Sequence, residues 1–537
     1  MSLHAPTAIL IGGGHNGLVC AFYLARAGVR VTVLERRELV GGAAVTEAFH
    51  PGFRNSTASY TVSLLNPRVI TEMGLADHGL RIVERRVANF LPLPGDQHLI
   101  VADGRTRAEV ARFSPRDAER LADYERRLLA IADLVRDLVL RTPVNMPLGS
   151  WVDAVRALLE ASHLGRRMSQ LDLTARRDLL ALLSQSAGDW LDGWFESDPI
   201  KAAFGFDGIV GNYASPYSPG SAYVLLHHVF GGVNGKRGAW GHAIGGMGAI
   251  TAAMDSACRS LGVDIRTNST VAEVLVDKGR AEGVRTQDGE VFRASIIASN
   301  LHPKLLFGHL VDPAALPTDF VERIARYRSG SGTFRMNVAL SEPPRFSSLP
   351  DPGDHLTGGI IIAPSLAYME QAYFDARRYG WSRAPIVEML IPSLLDDSLA
   401  PAGRHVASLF CQHVAPQLPE GRSWDDHREE VADLMIDTVD AWAPGFKSSV
   451  IARQVHSPLD LERKFGLVSG DIMHGALALD QMFSARPVLG YGDYRTPVAG
   501  LYQCGAGTHP GGGVTGAPGF NAAREILADL KGRRRRA

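Results

Sequence analysis

Residues 7–42 show a hydrophobic pattern that changes from strand to helix and back to strand. An apolar run is followed by a glycine turn, an alanine-rich segment of helical period, a β-branched run at 29–34 and an acidic residue. Short apolar runs between turn residues are typical of buried strands, whereas apolar residues at helical spacing predict a helix. The stretch therefore predicts a βαβ unit near the start of the chain.

Apolar stripes at helical spacing return in the next third of the chain. Residues 115–140 predict a long amphipathic helix, and further helices are predicted at 151–160 and 174–195. This helical block interrupts the nucleotide-binding pattern, as an inserted substrate domain would. An apolar stripe of this kind more often packs in the protein core than lines a substrate site. A helical cap is nevertheless also where an apolar substrate would enter.

Strand patterns dominate the second half of the chain. A short strand is predicted at 263–266, a β-meander at 271–276, 283–286 and 291–292, and a strand at 294–299 that leads back to the first sheet. A second excursion is predicted to contain strands at 333–340, 359–362, 386–391 and 405–412 and a helix at 424–441. These elements suit a mixed sheet-and-helix domain that completes the substrate site.

The glycines of the first turn point to a dinucleotide. Gly12, Gly14 and Gly17 occupy the G-x-G-x-x-G positions, which allow a tight turn, approach of backbone to a pyrophosphate and close helix–sheet packing. The helix N-terminus offers free N–H groups to the phosphates. Glu35, at the end of the second strand, is placed to accept the ribose hydroxyls and would repel a 2′-phosphate.

Two later glycine-rich features favour FAD over NAD. Gly41 and Gly42 form a second turn beside the pyrophosphate position. Residues 500–523 are predicted as a short strand at 501–504, a glycine-rich loop and a helix, which offers another helix N-terminus to the cofactor. Gly245, Gly246 and Gly248 lack a suitable preceding strand, so only one dinucleotide site is predicted and NAD(P)H is not expected to be the routine reductant.

The patterns together predict an α/β protein of two discontinuous domains. The Rossmann-type FAD-binding domain is predicted to comprise residues 1–105, 242–305 and 450–537. The inserted mixed α+β substrate or cap domain is predicted to comprise residues 106–241 and 306–449. A chain of 537 residues suits two domains.

Composition excludes several function classes. The 56 basic and 57 acidic residues leave no global field to recruit nucleic acid. Four scattered cysteines without a C-x-x-C pair argue against dithiol chemistry and a metal cluster, and favour a reduced, cytoplasmic compartment. No apolar run is long enough to span a membrane, and the N-terminus lacks a signal pattern. The terminal basic run, KGRRRRA, could contact anionic lipid or form a solvated tail.

Four stretches carry a family resemblance: GGGHNGL, LERRELVGGAAVTE, GAWGHAIGGMGAI and GLYQCGAGTHPGGGVTGAPGFNAA. The chain resembles, over nearly its whole length, the phytoene desaturase-like flavoproteins, and within them the group of the second pyridine nucleotide-disulfide oxidoreductase domain-containing protein. The resemblance implies a glutathione reductase- or amine oxidase-like FAD domain. It implies FAD contacts at Gly12, Gly14, His15, Asn16, Gly17, Glu35, Arg36, Gly42, Ala43, Val271, Gly505 and Gly516. Many relatives have arginine where this chain has Ala43, which weakens transfer of that phosphate contact.

Candidates for catalysis lie in the two loops expected near the flavin. They are His509, Tyr60 and Asn55. His509 could polarise substrate or instead fix its loop by bonding a backbone carbonyl. His227 and His228 lie in a run predicted as an apolar strand, where a satisfied core histidine is the commoner outcome.

Other polar residues near the C-terminal loop have structural explanations as well. Asp460, Glu462, Asp471 and His474 are interpreted mainly as capping and salt-bridging groups, and Cys504 as packing.

The function implied is an FAD-dependent oxidoreductase that transfers hydride from an apolar, unsaturated substrate to flavin N5. Such an enzyme needs geometry and exclusion of water more than charge. Three alternatives remain: a redox-neutral isomerase or saturase of a polyene, a regulatory protein that binds FAD with little catalysis, and an amine oxidase. The expected partner is a small apolar substrate, with peripheral membrane contact and self-association left open, and no metal is expected.

Overall fold

A five-stranded parallel sheet forms the first layer of the fold in the computed structural model, which describes residues 6–145, 162, 165, 166 and 168–536. Its strands, in spatial order, are Asp264–Arg266, Arg30–Leu34, Thr7–Ile11, Ile296–Ser299 and Leu501–Gln503. Strand order therefore brings chain segments from both ends and the middle into one sheet, as predicted.

Both faces of this parallel sheet are covered, which explains why its strands are apolar on both sides. Helices His15–Arg26, Gly248–Ser260 and Ala517–Arg536 pack on one face. The other face packs against the β-meander of Val271–Asp277, Arg280–Thr286 and Val291–Arg293 and against Thr318–Arg326. The sheet is thus a buried platform, and the carboxyl ends of its strands open towards the rest of the molecule.

A seven-stranded mixed sheet forms the second layer. Its spatial order is Val450–His456, Phe334–Leu340, His405–Val414, Trp381–Leu390, Gly359–Ile362, Val87–Pro92 and His98–Ala102. Only the pairing of Gly359–Ile362 with Val87–Pro92 is parallel. Strands from the predicted FAD domain therefore enter this sheet, and because strand pairing alone does not delimit domains, the predicted boundaries stay a prediction.

A helical layer covers one side of the second sheet. Its described helices are Pro115–Val139, Leu173–Ser184, Ala187–Asp192, Asp198–Phe206, Ser221–Val229 and Leu366–Tyr379. The helix predicted at 151–160 lies outside the described residues. The single helix predicted at 174–195 is two helices, because Gln185 is extended and the Ser186 side chain accepts the Asp189 N–H to begin the second one.

The strand predicted around His227 and His228 was wrong. Both histidines lie in the helix Ser221–Val229, whose residues are buried on nearly every side. A short apolar run that is buried all round has no amphipathic period, so the pattern cannot distinguish helix from strand. Gly220, in the left-handed conformation, begins this helix.

Smaller elements connect the layers. Paired strands are Thr46–His50 with Phe53–Ser56, Ile82–Glu84 with Gly241–Ala243, and Gly232–Val233 with Lys236–Arg237. Further helices are Pro67–Glu72, Thr106–Ala111, Pro303–Leu305, Trp424–Trp442, Phe446–Ser449 and Pro458–Phe465. Among the described residues, no helix has the length and apolar character required to cross a bilayer.

Candidate functional site

One large cavity runs from the glycine turn to the face of the seven-stranded sheet. The space it encloses, with open solvent at the mouth included, is about 1800 Å³. Its wall joins residues of both glycine turns and of the C-terminal glycine-rich loop to residues of the seven-stranded sheet. We call the part at the glycine turn the cradle end and the part at the seven-stranded sheet the far end.

Close backbone packing forms the cradle end. A Cβ atom on Gly17 would lie 2.3 Å from the Gly12 carbonyl oxygen, and one on Gly41 would lie 2.8 Å from the Ala44 carbonyl oxygen. Gly12 has φ +93°. The second turn lies against the first, because the Gly41 N–H donates to the Gly13 carbonyl at 2.8 Å. Side chains at these positions would separate the elements that form the cradle.

Glu35 lies at the end of its strand, on the cavity wall. Its Oε2 accepts the Gly13 N–H at 2.7 Å and its Oε1 accepts the Arg37 N–H at 3.0 Å. The carboxylate is thereby fixed beside the glycine turn and keeps lone pairs for ribose hydroxyls. Val271 also lines this end.

Three buried polar atoms at the cradle end have no hydrogen-bond partner in the described chain: His15 Nε2, Asn16 Oδ1 and His474 Nδ1. Burial lowers the pKa of His15 to about 4 and that of His474 to about 3, so both imidazoles are neutral at pH 7. Unpaired buried polar atoms are costly and indicate a missing partner. Together with the glycine turns and Glu35, they fit a bound dinucleotide that offers hydroxyls and phosphate oxygens.

Most of the predicted cofactor-binding residues line the cavity. They are Gly12, Gly14, His15, Asn16, Glu35, Arg36, Gly42, Ala43 and Val271. Gly17, Gly505 and Gly516 pack behind the wall instead, where Gly505 lies against the Asn300 backbone. Their neighbours Ala506, Gly512, Gly513 and Val514 present the C-terminal loop to the cavity. The individual cofactor contacts stay predictions.

The three predicted catalytic residues lie in different places. Tyr60 lines the cavity. His509 is buried behind the wall, with Nε2 3.0 Å from the Leu138 carbonyl oxygen, which matches the loop-fixing alternative. Asn55 is also buried away from the wall, and its Nδ2 donates to Asn337 Oδ1 at 3.0 Å. The structure therefore brings only Tyr60 of the three to the cavity.

The polar residues before the C-terminal loop divide between structural and cavity positions. Asp460 forms a capping box with Ser457, and Asp471 accepts backbone N–H groups of Gly330, Met473 and Gly475. Both contacts match the capping interpretation. His474 differs, since it lines the cavity.

Tyr60 belongs to a stacked group at the far end. Its hydroxyl donates to Glu388 Oε2, and its ring stacks on Phe410 with centroids 5.2 Å apart. The Arg335 guanidinium lies 4.5 Å from the Tyr60 ring centroid and donates to the Ala58 and Leu409 carbonyls and to Ser408 Oγ. Burial raises the pKa of Glu388. This group is a rigid wall whose polar atoms are largely paired.

Three further ionisable side chains, those of Arg85, Asp207 and His228, complete the far end. The Arg85 guanidinium lies 5.5 Å from the Trp240 ring centroid. Burial, assisted by the nearby Glu388 carboxyl, raises the pKa of Asp207 to about 8. His228 stacks on Trp240, and burial lowers its pKa to about 4. All of them line the cavity.

Sequence reasoning did not single out Arg85, Asp207, Trp240 or Glu388. A signal existed for Glu388, the only charged residue in the predicted apolar strand 386–391. A charge in such a strand is rarely buried without a partner. No comparable signal marks Asp207, because a single acidic residue at the end of a helix does not show that its side chain will be buried.

Comparison with known proteins gives consistent results. A family model described as flavin containing amine oxidoreductase matches residues 17–527. "Pyridine nucleotide-disulfide oxidoreductase domain-containing protein 2" of Rattus norvegicus is 41% identical, covering 98% of this chain and 94% of the relative. A limonene dehydrogenase polypeptide of Castellaniella defragrans is 26% identical, covering 97% of this chain and 94% of the relative. "Phytoene desaturase (lycopene-forming)" of Pseudescherichia vulneris is 24% identical, covering 97% of this chain and 98% of the relative. The resemblance predicted from the motifs is confirmed.

Proposed function

The chain belongs to the flavin-containing amine oxidoreductase family, and we propose that it oxidises an apolar, unsaturated substrate by removal of hydride. Family membership confirms FAD as the cofactor and an FAD-dependent oxidoreductase as the enzyme class. The substrate class is the part that we propose.

The observation that carries the proposal is the apolar part of the cavity wall, which we call the apolar passage. It comprises the side chains of Leu64, Phe206, Val210, Phe410, Leu467, Ile472 and Met473. Such a wall gains free energy from burying hydrocarbon and offers no partner to a strongly polar chain. An elongated apolar molecule would therefore lie along this passage.

The chain's own residues account for binding and orientation. The glycine turns, Glu35 and the polar atoms of His15 and Asn16 would hold FAD, which when bound supplies an acceptor for hydride. The aromatic and aliphatic wall would orient the substrate and exclude water. The imidazole of His474, also at the cradle end, is neutral and adds no charge beside the cofactor.

The names of two relatives support the same substrate class. One relative is called a limonene dehydrogenase and another a phytoene desaturase. Since the chain aligns with both over nearly its full length, we extend the apolar, unsaturated class to this protein, and with it the expectation of peripheral contact with lipid.

The test is anaerobic titration of the purified holoprotein with phytoene in detergent, followed by visible spectroscopy and product mass. We expect the flavin absorbance to be lost and the product to have two fewer hydrogens. NADPH, added separately, should leave the flavin oxidised. Flavin that is reduced by simple amines and never by polyenes would contradict the proposal, and an unchanged product mass would favour the isomerase alternative.

A further inference from the structure

Arg85 is buried at the far end without the partners that such a side chain requires. It is 8% exposed, and its Nε and Nη1 atoms have no hydrogen-bond partner in the described chain. The ring face of Trp240 contacts the guanidinium but offers it no hydrogen-bond acceptor of the usual kind. Unpaired buried N–H groups are costly, so their retention on a cavity wall indicates a ligand that accepts from them.

The charges around Arg85 favour an anion over a cation. Four ionisable groups interact here: the guanidinium groups of Arg85 and Arg335 and the carboxyl groups of Asp207 and Glu388. With both carboxyls ionised the group is neutral, and it is positive whenever either is protonated. Burial raises the pKa of both carboxyls, so the positive states are favoured. An ammonium group gains nothing here.

Net charge favours a carboxylate over a phosphate. The planar N–H groups of the Arg85 guanidinium can donate to the oxygens of either anion. With one of the two carboxyls protonated, the four groups carry a single positive charge, which balances a carboxylate but leaves a phosphate dianion with excess negative charge beside Glu388. A protonated Asp207 can add a hydrogen bond to a carboxylate oxygen.

We propose that the far end binds the carboxylate of an unsaturated monocarboxylic acid through Arg85, while the apolar passage holds the hydrocarbon chain. This inference rests on the proposed function, because it assumes an apolar substrate chain. It adds that the substrate is amphipathic and enters with a fixed polarity.

The first measurement uses the wild-type holoprotein, so it does not depend on a variant that folds. Calorimetric titration under anaerobic conditions compares trans-parinaric acid, its methyl ester and the corresponding primary amine. We expect the acid to bind about 10- to 100-fold more tightly than the ester, the range for a charge-assisted hydrogen bond. The amine should bind no better than the ester.

Variants then assign the effect to Arg85. Arg85→Met should weaken binding of the acid about 10- to 100-fold and leave binding of the ester unchanged. Arg85→Lys, which keeps the charge and loses the planar fork, should restore part of the affinity. Arg86→Met is the matched control, because Arg86 is the exposed neighbour.

Each other outcome overturns the inference in a distinguishable way. Equal binding of acid and ester, unchanged in Arg85→Met, would remove the carboxylate site and leave the apolar passage of the proposed function intact. Tightest binding of the amine would overturn the charge argument. Absence of binding by all three ligands to a protein that retains its flavin absorbance would overturn the apolar substrate and the inference together.

Discussion

The two ends of the cavity are built in different ways. At the cradle end, backbone groups and glycines form the wall, and the carboxylate of Glu35 is held by two backbone N–H groups. At the far end, side chains form the wall, and Tyr60 and Glu388, which share a hydrogen bond, are 328 residues apart in sequence.

This difference predicts which substitutions will disrupt each end. A backbone cradle depends on the absence of side chains, so it fails when a Cβ atom is added. A side-chain wall depends on paired charges and hydrogen bonds, so it fails when one partner is removed. The far end also contains unpaired donors and raised carboxyl pKa values, which are features of functional sites more than of cores.

The largest expected effect is removal of Arg335, which supports the far-end wall. Arg335→Met should lower the free energy of unfolding by about 3–5 kcal/mol, because it leaves the Ala58 and Leu409 carbonyls and Ser408 Oγ without their buried donor. Urea unfolding measures the change. Arg345→Met, at an exposed arginine, is the control, and a loss as small as in that control would contradict this account of the wall.

The next effect is expected at the cradle end, where the substitution Gly17→Ala adds one methyl group. Gly17→Ala should cost about 1–3 kcal/mol and reduce the flavin bound per protein, because the new Cβ would lie 2.3 Å from the Gly12 carbonyl oxygen. The ratio of flavin to protein absorbance gives the occupancy. Gly308→Ala is the control, since its Cβ would meet nothing within 4 Å. Full flavin content in Gly17→Ala would show that the turn adapts.

The pH dependence of stability tests the buried charges of the far end. Between its ordinary pKa of 3.8 and about 8, Asp207 is protonated in the folded protein and ionised in the unfolded chain. The folded state then binds more protons, so stability falls as pH rises, by up to roughly 1.4 kcal/mol per pH unit. Asp207→Asn should remove this component.

The measurement for Asp207 is the difference in unfolding free energy between wild type and variant at pH 5 and pH 8. The free energy of unfolding of Asp207→Asn should increase relative to that of the wild type as pH rises. Asp351→Asn, at an exposed aspartate, is the control. A difference that is constant with pH would mean that Asp207 is ionised in the folded protein.

The smallest expected effect separates the two interpretations of His509. His509→Gln should cost about 1 kcal/mol or less and leave the rate of flavin reduction within about twofold, because the side chain bonds the Leu138 carbonyl behind the cavity wall. Stopped-flow absorbance gives the rate. A rate that falls by orders of magnitude while flavin stays bound would restore His509 as a catalytic residue.

The sequence by itself determined the cradle end. The βαβ unit, Gly12, Gly14, Gly17 and Glu35 are near one another in sequence, and their roles follow from backbone geometry, which neighbouring residues largely set. The parallel sheet, the FAD cofactor and the family resemblance all followed from these positions and from the C-terminal glycine-rich loop.

The tertiary structure alone decided the far end. Whether Arg85 is paired, whether Asp207 holds its proton and whether His509 reaches the cavity depend on segments hundreds of residues away, and burial and partners are set by that packing. The helix around His227 was missed for the same reason, since an element buried on all sides takes its form from its neighbours and leaves no period in the sequence.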